Sequence, residues 1–160
     1  MEQMLICLSI ALIAGLLMSR LAKAVNLPAV TSYLVAGLLL GPWWGGAAAG
    51  IGSMLTDLLN GYAHYAPGTF VIKGCMAIAA ALLAKAMGRK AGGYVVSGIV
   101  AEVIMVAGYF GYAALLLGKG IGAAASIPGN LVQAVMGLAI GLILFFLLKR
   151  SKALDKLGLQ

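Results

Sequence analysis

Long apolar runs separated by short polar breaks recur along the whole chain. Residues 4–19 carry no charge and close on Arg20 and Lys23, which suits a slightly short membrane-crossing helix. Asn26, Leu27 and Pro28 break that run, because proline fixes φ and pushes its predecessor toward extended geometry. A second helix is expected over residues 29–40, ending at Gly41 and Pro42. The third run, residues 43–60, is rich in small residues, including Gly46 and Gly50 one helical turn apart. In water so much glycine argues against a helix, whereas in lipid it lets two backbones approach closely. A fourth helix is expected at 69–87, followed by Gly88, Arg89 and Lys90, and a fifth at 94–117, interrupted only by Glu102. The sixth spans about 126–148, with Pro128 where a first-turn proline is tolerated. The pattern predicts an all-α polytopic membrane protein of about six transmembrane helices, forming one compact membrane domain.

Composition supports the same class. Of 160 residues, 63% are hydrophobic and 9% charged, with a mean hydropathy of +1.08, against about a quarter charged in ordinary soluble domains. Four acidic residues cannot solvate a soluble domain of this size. The formal charge of +7 would suggest nucleic acid if the basic groups shared one soluble face. They lie instead between and after the apolar runs, as loops facing anionic headgroups do. Clusters at Lys85, Arg89 and Lys90 and at Lys149, Arg150 and Lys152 place that loop and the carboxyl terminus in the cytoplasm of a plasma-membrane protein. Arg20 and Lys23 ask for the first loop to be inside as well, which alternate threading of about six helices forbids. The later clusters hold more charge and decide the orientation. A signal peptide is the rival reading of the first run, but its basic start is missing and Glu2 stands there instead. Cys7 and Cys75 fall inside apolar segments and read as small hydrophobes.

Against this background the few polar residues stand out. Residues 60–74 gather Tyr62, His64, Tyr65, Pro67 and Lys73 and read as a loop at one membrane face with Lys73 just inside the next helix. On the assigned orientation, Lys73, Glu102, Tyr109, Asn130 and Gln133 all point toward the outer leaflet, with His64 and Tyr65 in a loop above them. Ionisable groups within spans are costly, and are usually paired or line a cavity, so Glu102 and Lys73 form the natural pair. The bland alternative is that this pair and the amides only hold helices together; the functional one is a pocket for a polar, ring-bearing small molecule. Ser53, Ser97 and Ser126 have no visible catalytic partner and no ligand cluster suits a metal, so neither an enzyme nor a cofactor is expected.

Two family resemblances attach to these residues. Leu27-Pro28, Tyr33-Leu34, Ala36-Gly37 and Gly41-Pro42 resemble the opening helices of monovalent cation:proton antiporters, over about residues 4–42. From about Tyr33 onward the chain resembles the S component of energy-coupling factor (ECF) vitamin transporters. That likeness is carried by Gly41-Pro42-Trp43-Trp44-Gly45-Gly46, by the stretch from Gly52 to Gly74, by Glu102 with Gly108-Tyr109-Phe110, and by residues 126–133. It implies six membrane helices, an outward-facing vitamin pocket, and partners in the form of a transmembrane T subunit and two ATP-binding subunits. It also implies a docking surface of small residues, for which Ala11 and Gly15 are the candidates, while the spacing of Gly46 and Gly50 offers a face to either a neighbouring helix or a docked partner subunit. The division expected is an antiporter-like part at 1–42 and an S-component-like part at 43–160. A fragment of a cation:proton antiporter and a non-transporting structural membrane protein are the alternatives.

Overall fold

The computed structural model describes residue 38 and residues 40–150. The run expected at 4–19, most of that at 29–40, and the docking candidates Ala11 and Gly15 lie outside the described residues. Four α-helices follow one another: α1 (Pro42–Leu59), α2 (Ala66–Ala86), α3 (Ala91–Gly111) and α4 (Ile127–Arg150). Between the last two, a π-helical turn (Tyr112–Leu116) and a 3-10 helix (Gly120–Ser126) carry the chain around. Among the described residues every element is helical. Three stretches are long and apolar enough to cross a membrane: Ala66–Ala86, Ala91–Leu116 and Gly120–Leu147. The expected count of about six is therefore not reached among the described residues, and α1, whose apolar residues are diluted by four glycines and by Ser53, Thr56 and Asp57, is not one of the three.

The expected start of α2 at residue 69 is corrected to Ala66. Pro67 sits in the first turn of the helix, where its missing N–H costs nothing, so the helix begins before the apolar run does. The consequence is functional, since Lys73 lies two turns inside the helix rather than just within its mouth. α3 likewise begins at Ala91 rather than 94.

Consecutive helices pack antiparallel, α2 against both α1 and α3, and α4 against α3. The α1–α2 contact is backbone-close. A Cβ placed on Gly46 would lie 2.6 Å from the Ile78 side chain, and one on Gly50 would lie 2.8 Å from the Phe70 carbonyl oxygen. Small residues thus supply the close approach that replaces hydrophobic expulsion in lipid, with Ala49 and Ala77 fully buried in the seam. Of the two neighbours that Gly46 and Gly50 could take, another helix of the chain or a partner subunit, α2 lies against their face. The middle of the bundle is filled by Ile72, Met76 and Ala80 of α2, Ala101 and Met105 of α3 and Ala134 of α4. A second cluster joins Ala84, Tyr94 and Phe145, whose rings lie 4.6 Å apart.

The antiparallel order gives the bundle two unlike ends. One, the basic end, holds the start of α1, the α2–α3 turn with Lys85, Arg89 and Lys90, and the end of α4. The other, the polar end, holds the α1–α2 loop, the start of α2, the π-helical and 3-10 turns and the start of α4. Between them Leu82, Val95, Val132 and Ile143 are exposed, an apolar surface that fits hydrocarbon and would aggregate in water.

Gly50→Val forces a side chain against the Phe70 backbone, which cannot yield, and should destabilise by about 1–3 kcal/mol. Gly111→Ala, at a helical position (φ −60, ψ −45) with open space where the methyl would go, should be neutral or slightly stabilising. Thermal unfolding of both variants in one detergent checks the pair; equal behaviour contradicts the packing described.

Candidate functional site

Helical spacing brings the chemistry to one seam. On α2, Thr69 and Lys73 are one turn apart; on α3, Glu102, Met105 and Tyr109 follow the same face. Lys73 is only 4% exposed. Its Nζ donates to Met105 Sδ at 3.0 Å and stands 5.5 Å from the centre of the Tyr109 ring. The Tyr109 hydroxyl donates in turn to Thr69 Oγ1 at 3.0 Å. The cation is held by soft groups, a thioether and an aromatic face.

Glu102, 5% exposed, faces the same seam, and its charge interacts with that of Lys73. Both of its carboxylate oxygens are nevertheless buried without a hydrogen-bond partner among the described residues. Such an oxygen costs on the order of 1–3 kcal/mol, more when charged. Asp57 at the end of α1 adds a second carboxylate, which interacts with Thr69, Lys73 and His64.

Over the seam lies the α1–α2 loop. Gly61 makes its turn at φ +81, a conformation that side chains resist. Tyr62, His64 and Tyr65 follow, with the His64 and Tyr65 rings 4.7 Å apart. The Tyr112 hydroxyl donates to the His64 carbonyl at 2.9 Å. Tyr112 itself covers Gly68, where a Cβ would meet its ring at 2.6 Å. Lys119 Nζ donates to the Tyr65 hydroxyl at 2.9 Å and stands 5.2 Å from the centre of its ring. The two connections at the polar end are thus tied to each other by side chains.

The residues expected to form one site divide into groups. Lys73, Glu102 and Tyr109 meet in the α2–α3 seam. His64 and Tyr65 sit in the loop at the same end. Asn130 and Gln133, half-buried, stand in the first two turns of α4 at that end. A cavity of about 480 Å³ lies between α3 and α4, lined by Ile99, Val103, Phe110, Leu131 and Val135 among others. Glu102 borders it, but Lys73, Tyr109, Asn130, Gln133, His64 and Tyr65 do not, so this cavity is an apolar groove and not the expected polar cup. Thr69, Met105, Tyr112 and Lys119 were not anticipated. Thr69 and Met105 lie one turn before Lys73 and Tyr109, which is the signal that marks them.

A bundle of lipid-facing helical hairpins, with charged groups buried between them and aromatic side chains at one end, defines a polytopic membrane protein. A family profile described as "ECF-type riboflavin transporter, S component" matches residues 21–150, and the chain belongs to this family. S components are the substrate-binding membrane subunits of ECF transporters and are not enzymes. The match begins inside the stretch that resembles antiporters, so residues 21–42 belong to it and an antiporter origin for residues 4–42 finds no support. An "uncharacterized protein in gap 3′ region" of Pyrococcus woesei is 40% identical over 120 residues, covering 73% of this chain and 77% of that protein. No solved structure matches.

Removing one member of the buried pair leaves the other charge without compensation. Lys73→Met should cost about 3–5 kcal/mol, and adding Glu102→Gln should restore much of the loss. Thermal unfolding of the two single variants and the double variant measures the coupling; strictly additive effects would show that the two charges do not interact.

Proposed function

We propose that this chain is the ligand-capturing subunit of an ECF-type importer for a ring-bearing vitamin, with riboflavin the first candidate because the family description carries that name. The observation that carries the reading is the buried Glu102 carboxylate, unpartnered among the described residues and within electrostatic reach of Lys73. A ring N–H or a hydroxyl of the ligand donates to Glu102. Lys73, Asn130 and Gln133 donate to its carbonyl oxygens, and Tyr109 contributes an aromatic face. His64 and Tyr65 lie over the bound molecule. Hydrogen bonds to a charged partner carry more free energy than neutral ones, which gives such a site affinity for polar ring edges.

The positive-inside rule places the basic end, and with it the carboxyl terminus, in the cytoplasm, so the polar end opens to the outside. Residues 1–42 complete one membrane domain with residues 43–160, and Ala11 and Gly15 supply the small-residue contact to a T subunit, which works with two ATP-binding subunits to drive uptake.

Purified protein titrated with riboflavin should quench flavin fluorescence with a 1:1 end point, and Glu102→Ala should weaken binding by about 10- to 100-fold. A panel of other B vitamins, read by thermal shift, runs beside it. A shift with another vitamin changes the ligand and keeps the class, whereas no binding across the panel leaves only a structural membrane protein. Tyr112→Phe removes the hydroxyl that holds the His64 carbonyl. It should speed ligand release about fivefold, the equivalent of one ordinary hydrogen bond, in a stopped-flow displacement measurement; an unchanged rate means that this loop does not cover the ligand.

A further inference from the structure

The α2–α3 turn at the basic end is unusually strained for its composition. α2 closes with the Arg89 N–H donating to the Ala84 carbonyl at 2.8 Å and the Gly88 N–H donating to the Lys85 carbonyl at 3.1 Å, the paired bonds of a Schellman cap. Gly88 takes the left-handed conformation (φ +70) that this cap requires. Arg89 is left-handed as well, at φ +54. Among the described residues it is the one non-glycine with positive φ. The tight turn needs this geometry, because α3 starts at Ala91 and Gly93 is pressed against Met87, where a Cβ would lie 2.8 Å from that of Met87. It does not need arginine. Glycine meets the same φ without the Cβ penalty, so the guanidinium sits where its backbone is a burden, which makes a task for the side chain the natural inference.

The surroundings say which task. Lys85, Arg89 and Lys90 are all exposed on this turn, and the described carboxylates, Asp57 and Glu102, lie at the other end or in the middle of the bundle. Trp43, 71% exposed, opens α1 at this same end, where an indole sits at the boundary of hydrocarbon and headgroups. We propose that the α2–α3 turn is a binding site for the phosphate group of an anionic phospholipid. Arg89 makes a forked contact to phosphate oxygens, Lys85 and Lys90 add point charges, and Trp43 marks the depth of the headgroup layer. The inference does not depend on the vitamin reading.

The test uses the delipidated full chain in a neutral detergent, titrated with phosphatidylglycerol, with phosphatidylcholine, or with inorganic phosphate, and followed by thermal unfolding. The wild-type protein should gain stability with phosphatidylglycerol alone. Arg89→Gly folds, since glycine suits the turn, and should raise the lipid-free Tm by about 2–4 °C while weakening phosphatidylglycerol binding about fivefold. Arg89→Lys, which keeps the charge but lacks the fork, should bind between the two. Equal gains from the two lipids, or an unchanged phosphatidylglycerol response in Arg89→Gly, overturn the proposal and assign the arginine to a protein partner. An equal response to inorganic phosphate also overturns it, by showing an anion site that is indifferent to lipid. A lipid-free Tm that does not rise in Arg89→Gly removes the strain on which the argument stands.

Discussion

Hydrocarbon offers no water to a polar group, so every buried donor and acceptor of a membrane bundle must be answered from within the protein or by something that enters it. In this chain the constraint falls on two side chains, Lys73 and Glu102. Lys73 answers it with the Met105 sulfur and the Tyr109 ring, and Tyr109 is fixed by Thr69. Glu102 does not, although the attraction of Lys73 reaches it. A purely structural ion pair gains most when its partners close into direct hydrogen bonds and the remaining lone pairs are filled. Carboxylate oxygens that are open among the described residues are the arrangement in which an entering donor gains hydrogen bonds to Glu102.

The same constraint explains why the two ends differ. At the basic end the connection between α2 and α3 is four residues long, closed by backbone hydrogen bonds and packed glycine. At the polar end the backbone becomes irregular, through the Gly61 turn, the π-helical turn and the 3-10 helix. Irregular backbone is tolerated only outside the hydrocarbon or against protein, and a π-helical turn is a frequent companion of functional sites. The aromatic side chains gathered there cover backbone groups that a regular helix would have satisfied itself.

Much of this was legible before any coordinates. The helices of the second half follow from uninterrupted apolar runs, and the closeness of α1 to its neighbour follows from Gly46 and Gly50. The glycines do not say which neighbour, however, and α2 turned out to take the face offered for docking. The depth of Lys73 is hidden in the sequence because Tyr65, Ala66 and Pro67 carry loop-like composition, although a proline serves equally well in a first helical turn. Glu102 and Tyr109 share a face by helical period alone. The links of Lys73 to Met105 and of Tyr109 to Thr69 leave no sequence signal of their own, because methionine and threonine on a buried face are ordinary packing residues until an ammonium or a phenol is found against them. The groove between α3 and α4 left no trace in the pattern. Nearly every position on those helices is apolar, so the contrast between inner and outer faces that usually marks a cavity wall is missing.

These features combine in the way the two hairpins are joined. The α1–α2 hairpin is locked by backbone contact at Gly46 and Gly50 and carries Asp57, Thr69 and Lys73, while α3 and α4 carry Glu102, Tyr109, Asn130 and Gln133. The site is therefore divided between two units that share one short covalent turn at the basic end. At the polar end they are held to each other by side chains, Tyr109 to Thr69, Tyr112 to the His64 carbonyl and Lys119 to Tyr65. Each of those hydrogen bonds is worth on the order of 1 kcal/mol net, with a cation–ring contact added at Tyr65, whereas parting the hairpins at the other end would unmake a helix cap and a packed glycine. The proposed ligand would enter at that end, where the hairpins part at least cost, and would supply the donor that the Glu102 oxygens lack among the described residues.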